Sequence, residues 1–355
     1  MKRLTITSAG VALLALVGAC AGELPSAAAP TDPELAKGGP TASAGYTTLN
    51  VGALIPGSQS SQANGVNDAG DVVGSYSSGS TLYPFALVSG AAVPLGSGPG
   101  MAWGMSNGNP AFVVGSAAGT PVRWSLAAPT QVTHLALTGG AAKGVNTGGV
   151  AVGYLGASAA MWLADGSHIA IATPSGYTRG EGRGINDAGV AVFQFGVSAS
   201  ETAVNRAYVR LASGTSIELP PVGTDVTTYA NDISEIVNGS VYVAGSTRAS
   251  NLVSRSVRWT VDAFSGAILA TAVLSTTGSH GLGVSDAGGI AGFVDISSFR
   301  FSSYLWRGTS VLTLGPPKGG KDPRAWAMSR SGQYVAGQTF VGTASQAVRW
   351  TITTP

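Results

Sequence analysis

RGINDAGVAVFQ, residues 183–194, decides the fold, because near-copies of it recur along the chain. NGVNDAGDVVGS (64–75) and LGVSDAGGIAGF (282–293) repeat it closely. Looser copies are WGMSNGNPAFVVGS (103–116), KGVNTGGVAVGY (143–154), NDISEIVNGSVYVAGS (231–246) and WAMSRSGQYVAGQ (326–338). Each reads as a small-x-Gly-apolar run, a polar turn, and a second apolar run rich in Val, Ala and Gly. The apolar anchors Val66, Met105, Val145, Ile185, Ile233, Val284 and Met328 stand 39, 40, 40, 48, 51 and 44 residues apart. A period of this length is the signature of a repeat architecture.

A second anchor follows each copy. It reads Phe85-Ala86-Leu87, Val122-Arg123-Trp124, Ala160-Met161-Trp162, Ala207-Tyr208-Val209, Val257-Arg258-Trp259, Tyr304-Leu305-Trp306 and Val348-Arg349-Trp350. A turn and another short apolar run come after it, which makes four short strands per repeat. Asn-Asp-Ala-Gly suits a type I turn, with Gly able to take positive φ. One four-stranded unit cannot bury both its faces; seven packed radially can. The chain is therefore expected to be all-β, a seven-bladed β-propeller of four-stranded blades. The seventh copy stops at its third strand, and Tyr46–Leu54 resembles the fourth-strand run Ser310–Gly315. The N-terminal strand is thus expected to close the last blade and hide an edge. An open β-solenoid, the competing arrangement, would need capping copies instead of a complementary front strand.

The repeats resemble the HAF-repeat family of extracellular bacterial proteins, whose units carry a G-x-I-N-x-x-G-x-V-V-G element, an apolar-Trp strand and a Leu-Gly run. The likeness is clearest at Gly65–Gly74, Gly184–Gly189 and Gly283–Gly292, with Trp124, Trp162, Trp306 and Trp350 at the second anchor. It covers 46–355. The His-Ala-Phe triplet that names the family is absent, and Pro84-Phe85-Ala86 stands in its place. The resemblance implies a surface or secreted repeat protein and transfers no catalytic residues.

Ahead of the repeats, Lys2 and Arg3 precede the apolar run Val11–Val17, the pattern of a secretory signal over 1–20. That run is too short to span a bilayer, which takes ~20 apolar residues. Leu16-Val17-Gly18-Ala19-Cys20 resembles a bacterial lipobox, and Cys20 is the sole cysteine. The expected partner is a membrane, through a lipid on Cys20, with Ala21 favouring the outer membrane. Residues 21–45 hold four prolines and no apolar period, as a flexible tether does.

Composition narrows the function. Charged residues make up 10% of 355, against ~25% in an ordinary globular chain. Without Lys2 and Arg3 the basic and acidic side chains balance at 17 each, so bulk charge gives no reason to expect nucleic-acid binding. One cysteine excludes a disulfide framework. The three histidines, His134, His168 and His280, lie far apart and lack metal-ligand spacing, and no cofactor motif is present. The Asn-Asp-Ala-Gly turns offer one carboxylate and one amide each, too few oxygens for a calcium loop. They also lack the aromatic that a sialidase Asp-box carries. Gly180-Glu181-Gly182-Arg183-Gly184 superficially resembles a phosphate loop, but without a following helix it reads as a blade-to-blade connection. The arginines of Val-Arg-Trp (Arg123, Arg258, Arg349) are expected to bond between blades.

Three functional classes stay open: a monomeric binding module, a polysaccharide hydrolase or lyase, and a structural surface component. An enzyme would draw on carboxylates from distant blades: Glu181, Glu201, Asp225, Asp295 and Asp322, all placed in connections. For a binding module, the longer copies four to six put basic residues in or beside the loops of one face. Arg179, Arg206, Arg248, Arg255, Arg300, Lys321 and Arg324 are the candidate ligand contacts, and Arg183 and Lys318 lie nearby. Such a face would attract an anionic polysaccharide or a surface protein.

The Cys20 expectation is directly testable. Metabolic labelling with palmitate should tag the wild-type protein and spare Cys20→Ser; equal labelling of the two would exclude the anchor.

Overall fold

The computed structural model describes residues 45–198, 204–275, 278–297 and 300–353. Cys20 and the segment 1–44 lie outside them, as does Glu201. The described chain forms seven antiparallel four-stranded sheets. Six are built from consecutive strands, and the innermost strands of these blades are Ser60–Val66, Gly100–Met105, Gly140–Val145, Arg179–Ile185, Thr227–Ile233 and Ser279–Val284. The seventh has Gly320–Met328 innermost, then Tyr334–Val341 and Ala344–Ile352, with Tyr46–Asn50 as its outer strand. Each innermost strand touches the next, and the last touches the first, so the ring is closed. The protein is a seven-bladed β-propeller.

Closure follows the expected route. Tyr46 pairs with Ile352 and Asn50 with Val348. Tyr46 Oη also accepts a bond from the Gly315 amide at 2.7 Å, joining blade seven to the end of blade six. Each innermost strand carries a β-bulge at the same place, between Ala63 and Gly65 in blade one and between Gly281 and Gly283 in blade six, for example. The bulge turns the residue before the conserved small position, such as Lys143 or Arg183, out of the ladder and toward the axis.

The polar turn repays its sequence regularity. Its first residue is Asn or Ser in all seven blades and is always buried. In each case the side-chain oxygen accepts the amide that opens the second strand. Examples are Asn146 from Val150 (2.9 Å), Asn186 from Val190 (2.9 Å), Ser234 from Tyr242 (2.9 Å) and Ser329 from Tyr334 (3.0 Å). The second residue links neighbouring blades. Asp187 accepts from Thr147 N at 2.8 Å, Glu235 from Asp187 N at 3.0 Å, Asp286 from Glu235 N at 2.9 Å, and Asp68 from Ser331 N at 2.7 Å.

The Val-Arg-Trp arginines bond between blades as expected. Arg123 donates to the Gly149 carbonyl and Arg258 to that of Gly288, both at 2.6 Å, and Arg349 donates to that of Gly70. Each guanidinium also lies by an aromatic ring of its own blade: Phe112, Tyr242 or Tyr334. The partnering tryptophans are buried between blades, where Trp259 Nε1 donates to Pro220 O and Trp350 Nε1 to Gly315 O.

Two readings of local sequence need correction. Gly180–Gly184 is the innermost strand of blade four, not a connection. Its glycines are there because neighbours press on them: a Cβ on Gly182 would stand 2.6 Å from Val152 Cβ, and one on Gly180 2.6 Å from the Phe195 ring. Glu181 and Arg183, between the glycines, are left to face the channel. His280 likewise sits on an innermost strand, and Glu181, Asp295 and Asp322 are on strands, not in connections.

Removing 46–54 strips the outer strand from blade seven and takes Leu49 and Val51 out of the core they share with Phe85, Ala336 and Ala347, at a cost on the order of several kcal/mol. A thermal melt should fall steeply for this deletion and hardly at all on removing 23–44; equal melts would refute the shared blade.

Candidate functional site

The seven bulges aim one residue each at the axis. From blade one to blade seven these are Asn64, Trp103, Lys143, Arg183, Asn231, Leu282 and Trp326, and they form the waist of a central channel. A cavity of about 580 Å3 opens from the waist to the end that carries the Asn-Asp-Ala-Gly turns. A second of about 560 Å3 opens to the opposite end, where blades connect. Lys143, Arg183, Asn231 and Leu282 line both.

At the waist, Lys143 Nζ lies 3.2 Å from the centroid of the Trp103 ring. Arg183 pairs with Glu181, its neighbour two residues back on the same strand. Lys143 therefore has no carboxylate of its own among the described residues. Burial, then repulsion from Arg183, lowers its pKa from 10.5 to about 8 against the opposing pull of Glu181. Two buried donors of the ring, Arg183 Nε and Trp326 Nε1, lack an acceptor among the described residues.

The end with the polar turns is acidic. Asp68, Asp187, Glu235 and Asp286 surround it, and Arg330 reaches across from blade seven to the Ile233 carbonyl and to Asp232 of blade five. Asp232 occupies the small-residue position that is Gly in five other blades and Ala in the sixth. It accepts from Val284 N at 3.0 Å and Ile233 N at 2.8 Å. Burial raises the carboxyl pKa of Asp232, Glu235 and Asp286, and Arg330 only partly offsets this.

The opposite funnel is basic at its wall. Arg179 and Arg248 line it with Lys143 and Arg183, against Glu181, and Gln194, Asn205, Tyr229 and Ser246 complete a polar lining. Arg248 is 8% exposed and lies over Tyr229. So two of the seven basic candidates read from sequence converge on a cavity. The other five are arranged around them. Arg206 pairs with Glu218, Arg255 with Asp225 and Arg300 with Asp322; Arg324 stacks on Phe301, and Lys321 is exposed. All seven stand on strands. The described carboxylate candidates are similarly engaged, Asp295 facing His280 at 3.4 Å and the rest paired with arginine. Sequence reasoning missed Lys143, Trp103 and Trp326. Their signal was present, as the variable residue before the repeated small position.

No protein-family model matches the chain, and no curated protein matches it in sequence. Solved structures do resemble it. A catalytically inactive virginiamycin B lyase from Staphylococcus aureus superposes with TM-score 0.53 at 12% identity, over 87% of this chain and 99% of that one. The WD40 propeller domain of Doa1 gives 0.51 at 13%, over 86% and 97%. A puromycin-hydrolysing peptidase of Mycobacterium tuberculosis gives 0.53 at 11%, over 84% of this chain and 53% of that one. At such identity the likeness is one of fold.

The acidic end gives a pH prediction. A carboxyl whose folded pKa is raised favours folding below its unfolded pKa and loses that contribution as pH rises through the folded value. Asp286→Asn keeps an oxygen for the Glu235 amide and removes the charge. It should therefore melt above wild type at pH 7, with the difference vanishing toward pH 4; a variant less stable at pH 7 would contradict the assignment.

Proposed function

We propose that the chain is an exported, lipid-anchored binding module that takes an anionic ligand, an acidic polysaccharide above all, into the funnel at the blade-connecting end. The observation that carries this reading is the charge of the funnel wall: Arg179, Lys143, Arg183 and Arg248 against the single carboxylate of Glu181. Low-dielectric walls focus such a field. The polar groups between the cations suit hydroxyl-rich ligands. Arg206, Arg255 and Arg300, each held by a carboxylate, would steer more than they bind.

The HAF-repeat likeness agrees with display outside the cytoplasm. Of the carboxylates that the sequence offers to a hydrolase or lyase, Glu181, Asp225 and Asp322 are each paired with arginine and Asp295 faces His280.

Binding to immobilised uronate-bearing and sulfated oligosaccharides tests the proposal. Affinity should fall with salt. It should drop about tenfold or more in Arg179→Ala combined with Arg248→Gln, since one charge-assisted bond is worth about 1.5–3 kcal/mol. Equal binding of neutral glycans, or no loss in the double variant, would overturn it.

A further inference from the structure

The propeller, 46–355, contains three lysines. Lys318 and Lys321 are exposed around the connection between blades six and seven. Lys143 alone is inside, at the waist, where both cavities reach it. Its surroundings differ from those of a structural lysine. Such a lysine ends on a carboxylate, but the nearest one here, Glu181, is taken by Arg183. The Trp103 ring covers one side of the ammonium and favours the charged form. Burial and Arg183 outweigh that, because the amine titrates at about 8 and not 10.5. Arg183 and Glu181 are the charged groups that act on it. The channel approach to the amine is lined by Arg179 and Arg183, two groups that hold carboxylates well.

We propose that Lys143 is a nucleophile that captures a small carbonyl compound bearing a carboxylate, a 2-oxo acid, as an imine at the channel waist. The inference rests on the reading of the channel as a ligand site and names a second ligand class for it. The neutral amine adds to the carbonyl carbon. A C–N bond forms, the C–O bond breaks, and the carbonyl oxygen departs as water with both amine hydrogens, leaving C=N. No oxidant or reductant is consumed. Arg183, whose Nη2 meets Glu181 but whose Nε lacks an acceptor among the described residues, offers its remaining N–H groups to the carboxylate and, by its charge, keeps part of the amine unprotonated. At pH 7.5 the neutral fraction of Lys143 is about a quarter, against about a thousandth for an unperturbed lysine.

The test treats the full-length protein with glyoxylate or pyruvate and cyanoborohydride, which delivers hydride to the imine carbon, and maps the adduct by peptide mass. Lys318 and Lys321 are reference amines in the same molecule. Lys143 should be modified at least about tenfold faster than either, with a rate that rises toward a midpoint near pH 8. Lys143→Arg should lose that adduct and retain those of Lys318 and Lys321. Arg183→Gln should lose the preference for glyoxylate over an uncharged aldehyde. Modification of Lys143 no faster than Lys318 and Lys321 overturns the proposal. Oligosaccharide binding measured on the same protein separates the two readings. An unmodified Lys143 with oligosaccharide binding intact defeats only the imine. A trapped Lys143 without oligosaccharide binding defeats only the polysaccharide.

Discussion

Seven innermost strands can meet around one axis only if their midpoints carry almost no side chain. That requirement governs the rest of the molecule. The residue after each bulge is Gly65, Gly104, Gly144, Gly184, Asp232, Gly283 or Ala327. A Cβ on Gly144 would stand 3.0 Å from the Cα of Gly184, and one on Gly184 3.2 Å from the Cα of Asp232. Backbone thus touches backbone from blade to blade. Such contact leaves little room for side-chain packing near the axis, so the apolar cores move outward, between the blades. There the buried Trp124, Trp162, Trp259 and Trp350 supply the bulk that the inner strands cannot.

Radial packing of this kind needs something to hold the blades at fixed angles. Apolar contact is not directional. The directional part comes from polar groups at one end of the ring. The Asn or Ser of each turn satisfies its own blade, and the next residue bonds across to a neighbour, so one tetrapeptide both ends a strand and sets the blade spacing. Arg123, Arg258 and Arg349 add a second tie from the third strand to the glycine carbonyl of the following blade. The tie from Arg349 to Gly70 joins the last blade to the first. Together with Tyr46–Asn50, it makes closure a matter of hydrogen bonds as well as of chain topology.

The fold was legible because its constraints repeat: a turn that must bend, a position that must be small, a tryptophan that must be large. The turn's Asn or Ser recurs in all seven copies, the small residue in six and the tryptophan in five, which rises above the background even at low identity between copies. The site was legible only in part. Arg179 and Arg248 stood out as cations near long copies, and they do line the funnel. Arg206, Arg255 and Arg300 stood out equally, but the carboxylates that engage them come from other strands, and no linear spacing shows such pairing. Gly180–Gly184 misled because close strand packing and phosphate cradling make the same demand on sequence, backbone with no side chain. Lys143 and Trp103 escaped notice because the residue before the small position varies between copies and so looks unconstrained.

In a repeat protein that variation is itself informative. Positions that build the scaffold are pinned by sevenfold geometry, whereas the axis-facing position has no partner copy to fit and is free to differ. Here it differs as widely as chemistry allows, from Lys143 and Arg183 through Asn64 and Asn231 to Leu282 and two tryptophans. Asp232 breaks the rule from the other side. It puts a carboxylate where the scaffold calls for Gly, and burial works against its charge there. Arg330 crosses the channel mouth to meet it. A scaffold indifferent to its axis would have no use for that arrangement. The half-buried Asp232–Arg330 pair instead separates an acidic end from a cationic waist. The channel consequently has a direction, and an anion approaching from the blade-connecting end meets attraction down to Lys143 and repulsion beyond it.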